Sequence, residues 1–342
     1  MVNFKNLKNS YIIAEAGVNH NADINLAFKL VKAAKNSGAD AVKFQLFKIK
    51  EQVSDIAINA PYQRKGSGKQ KMTEMAKHYD LDWEQHVKIK AYCDELDIDY
   101  LSSCCDTNAV DFLIENLEAN LIKISSGEIT NLRLLEYASK KNVPIILSTG
   151  MATIEEIDIA VKRISKNLKS PLILLHCISN YPADEEDLNL NAIVTLRNKF
   201  RSIVGYSDHS LGYNAAIAAI AVGSKVIEKH FTLDKTLPGP DHSMALEPNE
   251  LKEFVEIIRN TEKMMGNGEK VPSIKEEEMK KIFRRGVISN SKINAGEVIN
   301  LENIAIKRPA LGIDAIDFEK IIGKRLIVNI DANTPIYWNM IE

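Results

Sequence analysis

Two histidines stand out by where they fall. His209 follows an apolar run in GYSDHS, and His230 closes another in IEKHF. If those runs are neighbouring strands, both imidazoles reach one rim, where a divalent metal would keep open positions for water and substrate. Asp208 and Glu228 would then be further ligands, or acceptors that fix the histidine tautomers. The pair lacks HxxxH spacing, so ordinary hydrogen bonding at a rim stays open as the other reading. Lys43 in AVKFQ and Lys123 in LIKISS form a second group, with hydroxyls from Ser103, Ser126 and Ser148. An ammonium with several neutral donors suits a small phosphorylated anion. The competing reading pairs the two lysines with Glu15 and Glu128 as core ion pairs. Gln45, Ser102 and His176 complete the polar residues near the ends of apolar runs. Charges inside apolar strands are costly to bury unless paired, metal-bound or occupied by a ligand. Their recurrence on most of the runs points to a functional polar rim.

The elements that must position these residues follow from periodicity. Eight short apolar runs begin at Tyr11, Ala41, Tyr100, Leu121, Pro144, Leu172, Ser202 and Lys225. Helical spacing separates most of them: Ile24, Ala27, Phe28 and Val31 share a face after the first run, and Leu251, Phe254, Val255 and Ile258 after the last. This α/β alternation without pairing hairpins predicts a (β/α)₈ TIM barrel rather than an open sheet, with its active face at the strands' C-terminal ends. Period-two alternation puts Lys43 with Gln45, and Glu228 with His230, on one side of their strands. The stretch from Gln52 to Asp82 makes the second connection longer than the others; it either covers the substrate or is a solvated excursion.

At Gly266 the pattern breaks. The reading is a catalytic domain over 1–266, a charged linker with a possible helical turn over 267–283, and a small β-rich domain over 284–342. INAGEVI from Ile293 is echoed by IDANTPI from Ile330, which suggests two related halves around a small core. The acidic run Glu276 to Glu278 reads as a solvated face, and LPGPDH, which contains Asp241, as a rigid loop where that carboxylate could meet a ligand.

Composition excludes several classes. The 342 residues hold 44 basic and 46 acidic side chains, so the net charge of −2 gives no electrostatic case for nucleic acid or an anionic membrane. No apolar run approaches the roughly 20 residues of a membrane helix, and the N-terminus lacks signal-peptide features. Four cysteines with no CxxC fit a reducing cytoplasm. Cys104 and Cys105, adjacent in sequence, read as buried thiols rather than nucleophiles.

IAEAGVNHN, AVKFQ, KISSGEITN, IILSTGMAT, LLHC with YPA, GYSDHS, and IEKHFTLDK with GPDH stand in an order that resembles bacterial N-acetylneuraminate (sialic acid) synthases. AGEVI and IKRPALGI resemble the same family's C-terminal antifreeze-like (SAF) domain. The resemblance implies a domain-swapped homodimer that condenses phosphoenolpyruvate with an open-chain N-acetylated aminohexose, consuming water and releasing phosphate. It implies that Lys43, Lys123, Ser103, Ser126, Ser148 and Tyr181 contact phosphoenolpyruvate. His209 and His230 would hold the metal, Mn2+ or Mg2+. Glu15, Gln45 and Asp241 would meet the sugar, with Glu128 near the reacting carbons; Glu15, Glu128 and Asp241 are the catalytic candidates. Arg308, in IKRP, would reach the sugar's N-acetyl end from a partner's small domain. N-acetylmannosamine is the expected sugar, and the 2,4-diacetamido-2,4,6-trideoxyhexose of legionaminate and pseudaminate synthases the alternative. Two segments depart from the family: SSCCD stands where STPFD is common, and KRPALG where KRPGNG is. A 3-deoxyulosonate-phosphate synthase would need a second phosphate pocket, for which no arginine cluster is visible. A non-enzymatic ice- or glycan-binding role would leave the polar rim unexplained.

Overall fold

The computed structural model describes residues 3–46, 52–69 and 71–342. The eight runs form parallel strands β1 (Tyr11–Gly17), β2 (Ala41–Leu46), β3 (Asp99–Cys104), β4 (Ile122–Ile124), β5 (Ile145–Ser148), β6 (Leu172–Cys177), β7 (Ile203–Asp208) and β8 (Val226–His230). They close into a barrel in sequence order, β1 pairing with both β2 and β8. Helices pack outside. Ile24–Asn36 buries Ala27, Leu30, Val31 and Ala34, and Pro248–Met265 buries Leu251, Phe254, Val255 and Ile258. Capping boxes start several of them, as where Thr153 and Glu156 bond each other's backbone N–H.

Alternation inside the barrel explains where the site lies. At the N-terminal end the inward positions are apolar: Ile13, Ala41, Leu101, Leu121, Ile146, Ile173 and Val226 form one buried cluster. Two residues further along, the same face carries Glu15, Lys43, Ser103, Lys123, Ser148, Leu175 and Glu228. Register aligns this second layer, with Glu15 opposite Lys43 and His230, and Ser103 opposite Lys123. The barrel is thus a packed plug below and a polar cavity above.

The chain divides into two compact units, Met1–Gly266 and Asn267–Glu342. In the second, the charged stretch after Gly266, read from the sequence as a linker with a possible helical turn, contains a ten-residue helix, Ile274–Phe283, opened by a Ser273–Glu276 capping box. Glu276–Glu278 lie on it, exposed. Strands β9 (Gly286–Ser289) and β10 (Ile304–Lys307) pair antiparallel. The repeat is physical: Ile293 and Ile330 exchange backbone hydrogen bonds of 3.0 Å. Its equivalent turn positions, Gly296 (φ 87°) and Asn333 (φ 59°), are both left-handed, and the closing Ile299 and Ile336 are fully buried. Among the described residues no helix is long and apolar enough to cross a membrane.

Candidate active site

A cavity of about 580 Å³ opens at the C-terminal end of the barrel. Its floor is an ion-pair network. Lys43 Nζ lies 2.7 Å from Glu15 and 3.7 Å from Glu228, Lys123 Nζ lies 3.3 Å from Glu228, and all four are buried. Ser207 Oγ donates to Glu228 (2.8 Å) and Gln45 Nε2 to Glu15 (3.3 Å). Both lysines therefore make ion pairs and line the cavity, but the second carboxylate is Glu228, not Glu128. Glu128 lines the cavity and accepts from Asn131 Nδ2 (2.8 Å).

Burial and neighbours sort these groups. Burial pushes Glu15 up, and Lys43 only partly offsets it. Burial also pushes Glu228 up, but Lys123, Lys43 and Ser207 outweigh it and hold the carboxyl below the usual range. For Lys43, burial is overcome by Glu15 and Glu228, which fix its charge; for Lys123, burial wins and the ammonium is weakened. Asp241, in the loop after β8, is pushed up to about 7, first by burial and then by Glu15. Gly17 makes room where these side chains converge. Its φ is +53°, and a Cβ there would lie 3.3 Å from Glu15 Oε1, 3.5 Å from Gln45 Nε2 and 3.6 Å from Asp241 Oδ2.

His209 and His230 meet at the rim with ring centroids 5.6 Å apart. His209 Nδ1 lies 2.6 Å from Ile178 O, a carbonyl that can only accept, so the proton sits on Nδ1 and Nε2 presents its lone pair, 3.3 Å from a Ser207 hydroxyl that donates to Glu228. Nδ1 of His230 is buried and has no hydrogen-bond partner among the described residues. Burial lowers both rings, His209 to about 4 and His230 well below its ordinary value, so both are neutral imidazoles. An oriented lone pair and an orphaned ring nitrogen suit a divalent metal. Among the described residues no cluster of three or more His, Cys, Asp or Glu could hold one, so water and substrate would supply the other positions. Tyr181 packs on His209 at 4.1 Å between centroids. Ser126 Oγ accepts from Gly150 N (3.0 Å) and lies 3.2 Å from Cys177 Sγ. Ser148 Oγ is buried and has no partner among the described residues, and Ser103 also lines the cavity.

Three candidates face the other way. Asp208 is neither ligand nor support for the histidines: it accepts from Lys229 Nζ (2.8 Å) and Ser210. Ser102 donates to Phe44 O (3.3 Å), and His176 Nε2 meets Leu188 O (2.7 Å). Arg308 belongs to the second unit, where its Nε donates to Phe283 O (2.7 Å). The two adjacent cysteines split: Cys104 points away from the cavity with Sγ 3.6 Å from Lys123 O. Cys105 lines it, its thiol pushed up to about 12 by burial and Glu128. Residues not anticipated also line the cavity: Ser207, whose parity with His209 was readable, and Tyr62, Met72, Met75 and Tyr79 from helices Pro61–Ser67 and Met72–Tyr79. The long second connection is thus a wall of the cavity rather than a solvated excursion.

A parallel barrel whose C-terminal rim joins buried lysines to a neutral histidine pair defines an enzyme of anionic-substrate chemistry. The chain belongs to the NeuB family, which its residues 30–270 match, and residues 284–342 match the SAF domain. It is a phosphoenolpyruvate-dependent synthase that forms a C–C bond. Among its relatives is the N,N'-diacetyllegionaminic acid synthase of Campylobacter jejuni, 44% identical over 93% of this chain and 96% of that one. The enzyme of the same name from Legionella pneumophila is 42% identical over 97% and 94%. The crystal structure of N-acetylneuraminic acid (sialic acid) synthetase from Leptospira borgpetersenii superposes with a TM-score of 0.72 at 34% identity, covering 80% of this chain and 90% of that one.

Proposed function

We propose that this chain condenses phosphoenolpyruvate with a 2,4-diacetamido-2,4,6-trideoxyhexose and water, giving N,N'-diacetyllegionaminate and phosphate. The observation that carries this is the 42–44% identity, over nearly full length, to two synthases of that name, against 34% to the sialic acid synthetase. It favours this alternative over the expected N-acetylmannosamine. The apolar Val53, Met72 and Met75 on the cavity's insertion side support it, since this sugar ends in a methyl group where N-acetylmannosamine carries a hydroxyl.

In this reading Lys43 and Lys123, with Ser103, Ser126, Ser148 and Tyr181, bind and orient phosphoenolpyruvate. Gln45 and Asp241 hold the sugar, with Arg308 supplied by the small domain of a second copy in a domain-swapped homodimer. Mn2+ or Mg2+, held by His209 and His230, would polarise the sugar's carbonyl. C3 of phosphoenolpyruvate bonds to the aldehyde carbon, whose oxygen takes a proton; water adds at C2, and the C2–O bond to phosphate breaks. Asp241 holds a proton near neutral pH, when an ordinary aspartate has lost it, and is the side chain suited to donate one. Glu15 and Glu128 stabilise positive charge developing at C2. The test is phosphate release with phosphoenolpyruvate, manganese and either sugar. Higher kcat/KM for the diacetamido sugar supports the reading; a preference for N-acetylmannosamine overturns it.

A further inference from the structure

The barrel builds the polar floor of the cavity, but part of its wall comes from the long second connection, and a single glycine accounts for how that wall is held. Helix Pro61–Ser67 turns Tyr62 and Gln63 to the cavity, and the next helix adds Met72, Met75 and Tyr79. A Cβ on Gly66 would lie 2.5 Å from Gly239 O, 2.9 Å from Pro240 Cα and 3.2 Å from Gly239 C. All three are backbone atoms, which cannot swing aside. The helix therefore rests its own backbone on the loop that leads into Asp241. Glycine inside a helix costs about 1 kcal/mol relative to alanine, so its presence needs a reason. Gly68 has a local one, as the left-handed cap at φ 68° with open space around it. Gly66 has no such backbone conformation; its reason is the contact.

The same helix is fastened a second time. The Tyr62 ring stacks on Tyr181 at 4.8 Å between centroids and 26° between planes, and Tyr181 packs on His209. One short helix thus bridges the Asp241 loop and the tyrosine beside the histidine pair. We infer that Gly66 is a positioning residue for the sugar: its side-chain-free contact with Gly239 and Pro240 sets helix Pro61–Ser67 against the site, closing the cavity around the end of the sugar remote from the aldehyde. The nature of the sugar rests on the function proposed above; the contact does not.

The test compares Gly66→Ala and Gly66→Val with wild type, using Lys65→Ala, on the exposed side of the helix, as control. The Cβ must withdraw by about 1 Å to reach ordinary contact, a misplacement that can cost up to about a hundredfold. The sugar KM should rise about tenfold or more in Gly66→Val and less in Gly66→Ala. The phosphoenolpyruvate KM should rise less than the sugar KM, through the Tyr62–Tyr181 stack, and the melting temperature should stay near wild type; both KM values and the melting temperature of Lys65→Ala should match wild type. Without substrate, trypsin should cut at Arg64, Lys65, Lys69 or Lys71 faster in both glycine variants. An unchanged sugar KM, an equal rise in both KM values, or unchanged cutting overturns the inference, and Gly66→Ala decides if Gly66→Val fails to fold. If wild type uses N-acetylmannosamine alone, the proposed substrate falls and the Gly66 kinetics are measured with that sugar. If wild type uses neither, both readings fall.

Discussion

Asp241→Asn should change how stability depends on pH. Burial and Glu15 hold this carboxyl at about 7, against an ordinary 3.8. Between those values the native state keeps a proton that the unfolded chain has lost. The stability linked to it is present in full below pH 3.8 and declines as the pH rises through 7. Going from pH 5 to pH 8, the difference in proton binding removes about 2.6 kcal/mol. Asparagine has nearly the same shape and no proton to lose, so its variant should be spared that decline. Every other titrating group is shared, and subtracting the two pH dependences isolates Asp241. Urea unfolding of the barrel, followed by circular dichroism at pH 5 and pH 8, measures it. Wild type should lose about 2.6 kcal/mol more than the variant, about 5 to 10 °C in melting temperature for a domain of this size. Equal losses in the two proteins, to within about half a kcal/mol, would mean that Asp241 titrates like an ordinary aspartate, and its proton-donor role would go with it.

Lys43→Met strands the buried Glu15 carboxylate, 2.7 Å away, and should destabilise the barrel by about 3 to 5 kcal/mol. Adding Glu15→Gln should restore most of that stability, while calorimetry finds phosphoenolpyruvate binding weakened in both variants. Ser148→Ala should leave the melting temperature within about 2 °C, because its hydroxyl has no partner to lose, yet weaken phosphoenolpyruvate binding. His230→Ala should lose manganese binding, measured by calorimetry, with the barrel still folded; retained binding would refute the metal assignment. If Arg308 serves the site of a second copy, mixing inactive Arg308→Ala and Glu128→Gln chains should restore activity through dimers holding one intact site. No recovery with mixed dimers seen by native mass spectrometry would argue against that sharing.

The barrel was legible because short, nearly continuous apolar runs, as expected of parallel strands buried on both faces, alternate with segments whose apolar residues recur at helical spacing. Most of the site was legible for the same reason, since lysines and glutamates inside apolar strands are rare without a purpose. What failed was phase. Ser102 lies beside Ser103, His176 beside Cys177, and Asp208 beside both Ser207 and His209, yet only the second of each set borders the cavity. Adjacent strand residues face opposite sides, so at most one of two neighbours can point inward. The phase was readable on β8, where Glu228 and His230 flank Lys229, and it makes Asp208 and Lys229 an outward pair. The Gly66 contact was not legible at all: no period relates residue 66 to residue 239, and a glycine near a helix end ordinarily reads as a stop signal.

Two readings of the lysines stood open in the sequence, a phosphate-binding pair or core ion pairs; the structure shows the ion pairs on the floor of the cavity, where the two readings are compatible. Two ammonium groups facing an apolar plug could not stay charged in a cavity awaiting its substrate without nearby carboxylates. The two carboxylates are not equivalent. Glu228 is held by Lys123, Lys43 and the Ser207 hydroxyl, and sits below the usual range. Glu15 has Lys43 and a longer bond from Gln45, sits above that range, and adjoins Asp241, itself raised. An anion that draws Lys43 toward itself therefore takes it most readily from Glu15. In the proposed reaction that carboxylate, released by Lys43, is then free to face positive charge developing at C2, beside Asp241, the proton donor, on the wall assigned to the sugar. In that reading the ion pair that balances charge before binding supplies the carboxylate the reaction needs afterwards, so the pair and the proposed site share one layer of the barrel.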